Sequence, residues 1–236
     1  MDPSEITPVA QDYLKAIWSA TEWGDPPITT KGLAERMGTT APNVTDTVKR
    51  LALQGLVEYR PYRPVTLTAR GEQHAIAMVR RHRLLETFLV STLGYAWEEV
   101  HEEAERLEHA ASEAMIERID ARLGRPTADP HGDPIPTADG AVRHPPGTTR
   151  LSGTTPGVYR SIRVSDADPR LLARLRDQGI APGTTLTVTG HDDDGGTTAV
   201  LDGEPEPVVI PAEESRAVWV TPVPLAADGS APADSP

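Results

Sequence analysis

Apolar side chains recur every three to four positions through the first half of this chain and close to every second position through its last third, so helices are expected to give way to strands. Val9, Tyr13, Leu14, Ile17 and Trp18 mark a first amphipathic helix, with Pro8 suited to its opening turn. A short helix follows in TTKGLAERMG, closing near Gly38. Another is predicted in TTAPNVTDTVKRLALQGL, where Val44, Val48 and Leu51 share a face, Thr39 or Thr40 can cap the start and Gly55 stands at the end. The runs VEYR and VTLT, joined by PYRP, read as a small β-ribbon. Two helices followed by such a ribbon make a winged helix-turn-helix.

Residues 72–92 carry Ile76, Val79, Leu84, Leu85, Phe88 and Leu89, too apolar for a lone solvated helix, so a partner surface is implied. Residues 97–123 read as one further long helix, with Val100, Ala104, Leu107, Ala111, Met115 and Ile119 as the buried stripe. Such helix pairs commonly build a homodimer interface. Arg125 to Arg150 is rich in proline, glycine and small polar residues and reads as a linker. Beyond it VYRSIRV, TLTVTG, TTAVLDG, PVVIP and AVWVTP are strand candidates, with one helix near Pro169 to Gln178. The predicted fold class is therefore a mostly α N-terminal winged helix-turn-helix plus a helical dimerisation domain, followed by a small all-β SH3-like barrel. The predicted boundaries are 1–71 for the DNA-binding domain, 72–124 for the dimerisation and metal-binding helices, and 125–152 for the linker. The barrel takes 153–221, leaving 222–236 as a disordered tail.

Charge changes the picture locally. The whole chain has 35 acidic and 23 basic residues and a formal net charge of -12, which argues against a protein that coats nucleic acid indiscriminately. From Ile28 to Arg70, however, seven basic residues face three acidic ones. One basic module in an acidic chain fits a site-specific DNA reader. Zero cysteines excludes disulfides, thiolate metal sites and cysteine nucleophiles. The opening residues lack a basic region followed by an apolar core, and no apolar run approaches the roughly 20 residues of a membrane span. A cytoplasmic protein with no membrane partner is the expectation.

On the second helix of the reader, Pro42 removes an amide that would be unpaired anyway, and Asn43, Thr45 and Asp46 fall where such helices reach base edges in the major groove, with Thr40 and Pro42 at the helix start also counted as DNA-binding candidates. Lys31, Lys49, Arg50, Arg60 and Arg63 are candidates for phosphate contacts, which add affinity without reading sequence. Further along, HEEAERLEH places Glu105, Glu108 and His109 at i, i+3 and i+4 on one helical face. His101 lies one turn earlier, and His82 with Glu86 repeats the i,i+4 spacing. The spacing alone fits either two metal-binding clusters or the wet face of a helix. No histidine stands four residues after His101, so the string is not a zinc-protease motif.

AQDYLKAIW, APNVTDTVKRLALQGLV, RRHRLLETFL, HEEAERLEH and HGDPIP, in this order over nearly the whole chain, resemble the three-domain iron-dependent repressor family, which includes the diphtheria toxin repressor and the manganese transport regulators. The resemblance implies a primary metal site of Asp12, Glu105, Glu108 and His109. It also implies an ancillary site of His82, Glu86 and His101 with Asp168 of the barrel, although Leu171 falls where the other barrel ligand belongs. Iron-type members have methionine and cysteine where this chain has Asp12 and Glu105, whereas manganese-type members have carboxylates. Two-domain manganese regulators use a further carboxylate where Lys15 stands. Hard oxygen and imidazole ligands without sulfur favour Mn(II), with Fe(II) the alternative.

The expected function is that of a metal-dependent transcriptional repressor: a homodimer activated by Mn(II) to bind palindromic double-stranded operator DNA and control metal-homeostasis genes. No catalytic role and no organic small-molecule substrate is expected. The alternatives are an Fe(II)-responsive repressor of iron-uptake genes, a winged-helix sensor of an organic ligand, and a metal-dependent hydrolase. The last two would need a sizeable apolar pocket or a metal with an open position in a cleft.

Overall fold

The computed structural model describes residues 6–224, so most of the predicted tail, from residue 225 onward, lies outside the described residues. The chain divides into two compact units. One comprises the described residues up to Pro130 together with Pro134–Arg143, and the other His131–Asp133 together with the chain from His144 onward.

The first unit opens with α1 (Pro8–Ser19), α2 (Thr30–Arg36) and α3 (Ala41–Leu53), then the two-residue strands β1 (Val57–Glu58) and β2 (Thr66–Leu67), paired antiparallel as a wing. Thr7 and Thr29 cap α1 and α2 by accepting a backbone N–H. Thr40 occupies the N-cap of α3 but makes no side-chain cap bond. Thr39 Oγ1 is engaged elsewhere, accepting from Asn43 Nδ2 at 3.3 Å. The predicted threonine cap of α3 is therefore absent. Leu14, Ile17, Leu33, Val44, Val48, Leu51, Leu56 and Val65 close one core beneath these elements.

Thr68 caps α4 (Ala69–Leu93), a 25-residue helix that ends at Gly94 in the left-handed region. Three positions of α4 precede the predicted start at residue 72. The single helix expected over 97–123 is two helices, α5 (Val100–Glu108) and α6 (Glu113–Arg122). Ser112 decides the break: its backbone is extended and its side chain accepts from Met115 N–H, so a new helix starts there. Val100, Ala104, Ala111 and Ile119 are buried as predicted, while Met115 is 45% exposed because α6 turns Ile116 and Ile119 inward instead. Leu84, Leu85 and Leu89 of α4 join Val100, Ala104, Ile116 and Ile119 in a second core.

Four consecutive polar residues of α4, Arg80 to Arg83, are buried. Arg80 pairs with Asp120 at 2.9 Å and donates to the Pro136 carbonyl at 3.0 Å. Arg81 donates to the Glu108 carbonyl at 3.0 Å and pairs with Glu113. Arg83 pairs with Glu22 at 2.6 Å and donates to the Pro134 carbonyl at 2.7 Å. Proline-rich backbone between Arg125 and Arg143 is thus fixed by arginines of α4, an anchoring that composition does not reveal.

The second unit is a six-stranded antiparallel sheet, ordered β3-β8-β4-β5-β6-β7. Its strands are β3 (Thr149–Arg150), β4 (Gly157–Val164), β5 (Thr185–His191), β6 (Thr197–Leu201), β7 (Val208–Ile210) and β8 (Val218–Pro222). Helices α7 (Pro169–Asp177) and α8 (Ala212–Ala217) complete it, the latter and β3 not having been predicted. Register shifts between Ser161 and Arg163 and between Val188 and Gly190 bend the sheet as an SH3-like fold requires. His131–Asp133 joins this unit: the His131 carbonyl accepts from Val164 N–H at 2.8 Å, and Arg163 pairs with Asp133 at 2.7 Å.

Gly71, in the first turn of α4, admits no side chain, because a Cβ there would sit 1.9 Å from the Leu56 carbonyl oxygen. Gly71→Ala must push the Leu56 backbone, in the turn between α3 and β1, away from α4, and a loss on the order of 3 kcal/mol in urea unfolding is expected. A change below about 0.5 kcal/mol would mean that this junction is not tightly packed.

Candidate metal centre and nucleic-acid interface

Three helices of the first unit converge their polar faces. α1 contributes Gln11, Asp12 and Lys15, whose spacings of three and four residues place Gln11 and Asp12 within one turn of Lys15. α4 contributes His82 and Glu86, and α5 with its C-cap contributes His101, Glu105, Glu108 and His109. Asp12, Glu108 and His109 each turn one ligand atom into a group whose atoms lie within 4.8 Å of one another, and His82, Glu86 and His101 do the same.

The contacts define two linked clusters. His109 Nδ1 donates to Gln11 Oε1 at 2.7 Å, which leaves Nε2 facing Asp12 Oδ1 at 2.9 Å and Glu108 Oε1 at 3.8 Å. His82 Nδ1 donates to Glu108 Oε2 at 2.5 Å, and His82 Nε2 lies 2.9 Å from Glu86 Oε1 and 3.1 Å from His101 Nδ1. A single imidazole thus touches both clusters. Glu105 stands at the rim, half exposed, 3.5 Å from both His101 Nε2 and Lys15 Nζ. Lys15 Nζ donates to Glu108 Oε1 at 2.6 Å.

Electrostatics follow from burial and pairing. Burial raises the Asp12 carboxyl above its ordinary value, only partly offset by His109 and Lys15. Burial would do the same to Glu108, but the His82 hydrogen bond and charge, with Lys15, hold it below the usual carboxylate range. A hydrogen bond from His101 brings Glu105 down to about 2 against the opposing effect of burial, with help from Lys15. Burial opposes a charged His82, yet Glu86 and Glu108 outweigh it and raise the imidazole.

The donor set fits a small, hard divalent cation. Neighbouring ligands of a six-coordinate ion at about 2.1 Å are about 3 Å apart, the separation found in the trio of His82, Glu86 and His101, at 2.9, 3.1 and 3.2 Å. Both trios offer carboxylate oxygen and imidazole nitrogen, with no sulfur. Gln11 adds an outer contact of the kind that orients a ligating histidine. Asp168 belongs to neither trio: it is the N-cap of α7, where Oδ1 accepts from Arg170 N–H at 2.9 Å. Gln11 and the charge-compensating position of Lys15 were not picked out from sequence. Their spacing around Asp12 is a signal only once α5 is known to pack against α1.

The DNA-reading candidates fall on α2, α3 and the wing, and nearly all are exposed. Thr40, Pro42, Asn43, Asp46, Lys49 and Arg50 are exposed along α3, and Thr45 is half-buried with its hydroxyl on the Ala41 carbonyl at 2.9 Å. Lys31 on α2 and Arg60 and Arg63 at the wing are also exposed. Tyr62, between those arginines, is fully exposed and has φ +62, a strained left-handed conformation for a side-chain-bearing residue. Strain of this kind collects at functional loops, and Tyr62 joins the wing candidates.

Residues 5–65 match the family described as iron dependent repressor, N-terminal DNA binding domain, and residues 68–137 match its metal binding and dimerisation domain. Residues 150–222 match the FeoA domain. The iron-dependent repressor IdeR of Mycobacterium bovis is 35% identical over 229 residues, covering 92% of this chain and 98% of that protein. The diphtheria toxin repressor of Corynebacterium jeikeium is 27% identical at the same coverage. Among solved structures, a manganese-dependent transcriptional repressor in complex with manganese is 46% identical with a TM-score of 0.85, covering 91% of this chain and all of that one. The manganese regulator SloR is 34% identical with a TM-score of 0.78, covering 92% of this chain and all of that one.

Because its pKa is raised, His82 keeps its proton above the pH at which a free imidazole gives it up. A cation that takes this residue must displace that proton, so affinity should climb as pH rises through the raised value and fall below it. Mn(II) calorimetry in buffers of different ionisation heat should show proton release and tighter uptake at about pH 8 than at about pH 6. His82→Ala should lose most of that dependence. Equal affinity at both pH values in the unaltered protein would remove His82 from the ligand set.

Proposed function

The chain belongs to the iron-dependent repressor family and is a metal-dependent DNA-binding repressor, and on that premise we propose that Mn(II) is its activating ion. The observation that carries this reading is the all-oxygen-and-nitrogen trio of Asp12, Glu108 and His109, which spans the reader helix α1 and the end of α5. Mn(II) gains little from sulfur and is well served by carboxylates. Likeness to repressors named for manganese supports the same choice, while relatives named for iron make Fe(II) the alternative.

In the proposed mechanism Asp12, Glu108 and His109, with Glu105 at the rim, would hold the primary ion, and His82, Glu86 and His101 would hold an ancillary one. Such a cation would supply positive charge shared by carboxylates of α1 and α5. The residues of this chain do the rest. Gln11 orients His109, His82 joins the two clusters through Glu108, and Asp12 ties α1 to α5, so one arrangement of the reader is favoured. Residues 1–71 then read DNA, 72–124 hold metal and the dimer contact, and 153–221 form the barrel. An apolar groove lined by Phe88, Met115, Arg118 and Ile119 on α4 and α6 is the proposed homodimer face. Two copies so joined read the halves of a palindromic operator in the cytoplasm, where the DNA is.

Arg50→Ala should weaken binding to all DNA and flatten its salt dependence, whereas Asn43→Ala should chiefly erode preference for the operator. Matched losses on specific and random DNA for both variants would contradict these roles. The metal is tested by anaerobic titration of Mn(II), Fe(II) and Zn(II) against operator DNA selected from a random pool. The unaltered protein should respond to Mn(II), and Asp12→Met with Glu105→Cys should shift its preference about tenfold or more toward the softer metals. An unchanged ranking of metals in that double variant would undo the assignment to manganese.

A further inference from the structure

We propose that Lys15 is a resident counter-ion of the metal centre, an ammonium that an incoming cation must displace from Glu108 and that thereby sets the metal concentration at which the repressor responds. The inference rests on the metal reading of Asp12, Glu108 and His109 and adds a residue that is not itself a ligand.

Both oxygens of Glu108 are already held by hydrogen-bond donors of the chain. Oε2 accepts from His82 at 2.5 Å and Oε1 from Lys15 Nζ at 2.6 Å. The contested oxygen is Oε1, because it also faces His109 Nε2 at 3.8 Å across the primary trio. The ammonium is central to the cluster: it lies 3.5 Å from Glu105 Oε1 and 3.5 Å from His82 Nδ1, and its side chain is 13% exposed beside a Glu108 side chain only 1% exposed.

Two consequences follow. Without metal, Lys15 compensates a carboxylate that cannot remain charged and buried alone, and it joins α1 to α5 by an ion pair along the line that Asp12 would join through the ion. With metal, the same ammonium is a like charge within a few ångströms of a divalent ion, so it must swing away on its flexible stem or weaken the binding. In either case its charge opposes occupancy. A carboxylate at this position would add a ligand; a lysine raises the threshold instead.

The test is direct calorimetry of Mn(II) on the metal-free full chain, with thermal unfolding before and after metal. Lys15→Gln removes the charge but keeps an N–H for Glu108 Oε1, and Lys15→Met removes both. Lys15→Gln should melt lower than the unaltered protein without metal and bind Mn(II) at least tenfold tighter, about 1.4 kcal/mol. It should therefore show a larger rise in melting temperature on loading. A merely structural lysine would lower stability and leave affinity unchanged or weakened, and that result in Lys15→Gln overturns the proposal. Should Lys15→Met fail to fold, Lys15→Gln decides. Absence of Mn(II) uptake by the unaltered protein would overturn the metal reading itself, whereas normal uptake with no gain in Lys15→Gln overturns only the role of Lys15.

Discussion

A carboxylate buried as deeply as Glu108 must be answered by positive charge, and the centre of the first unit is arranged around that requirement. Its two oxygens take a lysine from α1 and a histidine from α4, while its own helix supplies the backbone carbonyl that Arg81 holds. Three helices distant in sequence are thereby drawn to one point. An isolated buried charge would cost several kcal/mol, so the surrounding cations are conditions of folding as well as candidates for function.

The same logic makes α4 the hub of the unit. A helix seldom buries four consecutive polar residues, and Arg80 to Arg83 are accommodated because they radiate to different partners: α6, the end of α5, the residues after α1 and the proline-rich backbone near Pro134 and Pro136. Each guanidinium pairs with a carboxylate and donates to a backbone carbonyl, which makes burial tolerable even though Arg81 Nε is left without a hydrogen-bond partner. His82 in the middle of that run reaches both candidate clusters at once. That one ring is a short physical link between the two clusters.

The route to DNA is short as well. Asp12 and Lys15 lie on α1, whose apolar face packs in the same core as Val44, Val48 and Leu51 of the recognition helix α3. A tie between α1 and α5 therefore bears on the reader through packed side chains. The exposed face of α3 and the arginines of the wing remain free to meet DNA. A repressor governed by a metal needs this division, with one face of the module held by the sensor and the other open.

The sequence by itself determined the elements and the chemistry available to them. Helical spacing in the first half, alternation in the last third and the combination of motifs identified the winged helix, the sheet-forming region and a family of metal-dependent repressors. Periodicity could not reveal the break between α5 and α6, because Leu107, Ala111 and Met115 continue a helical spacing straight across it; only the local competition won by Ser112 ends the turn. Composition marked 125–150 as proline-rich but not as anchored, since the anchors are arginines of α4 lying some fifty residues earlier. At the site, spacing grouped Glu105, Glu108 and His109, whereas tertiary packing moved Glu105 to the rim, brought Asp12 to His109 and left Asp168 as a helix cap. Lys15 shows the difference most clearly. In sequence it is only a residue that cannot bind metal, and the packing of α1 against α5 makes it the cation beside Glu108, because the field at a buried carboxylate depends on which charges surround it in space.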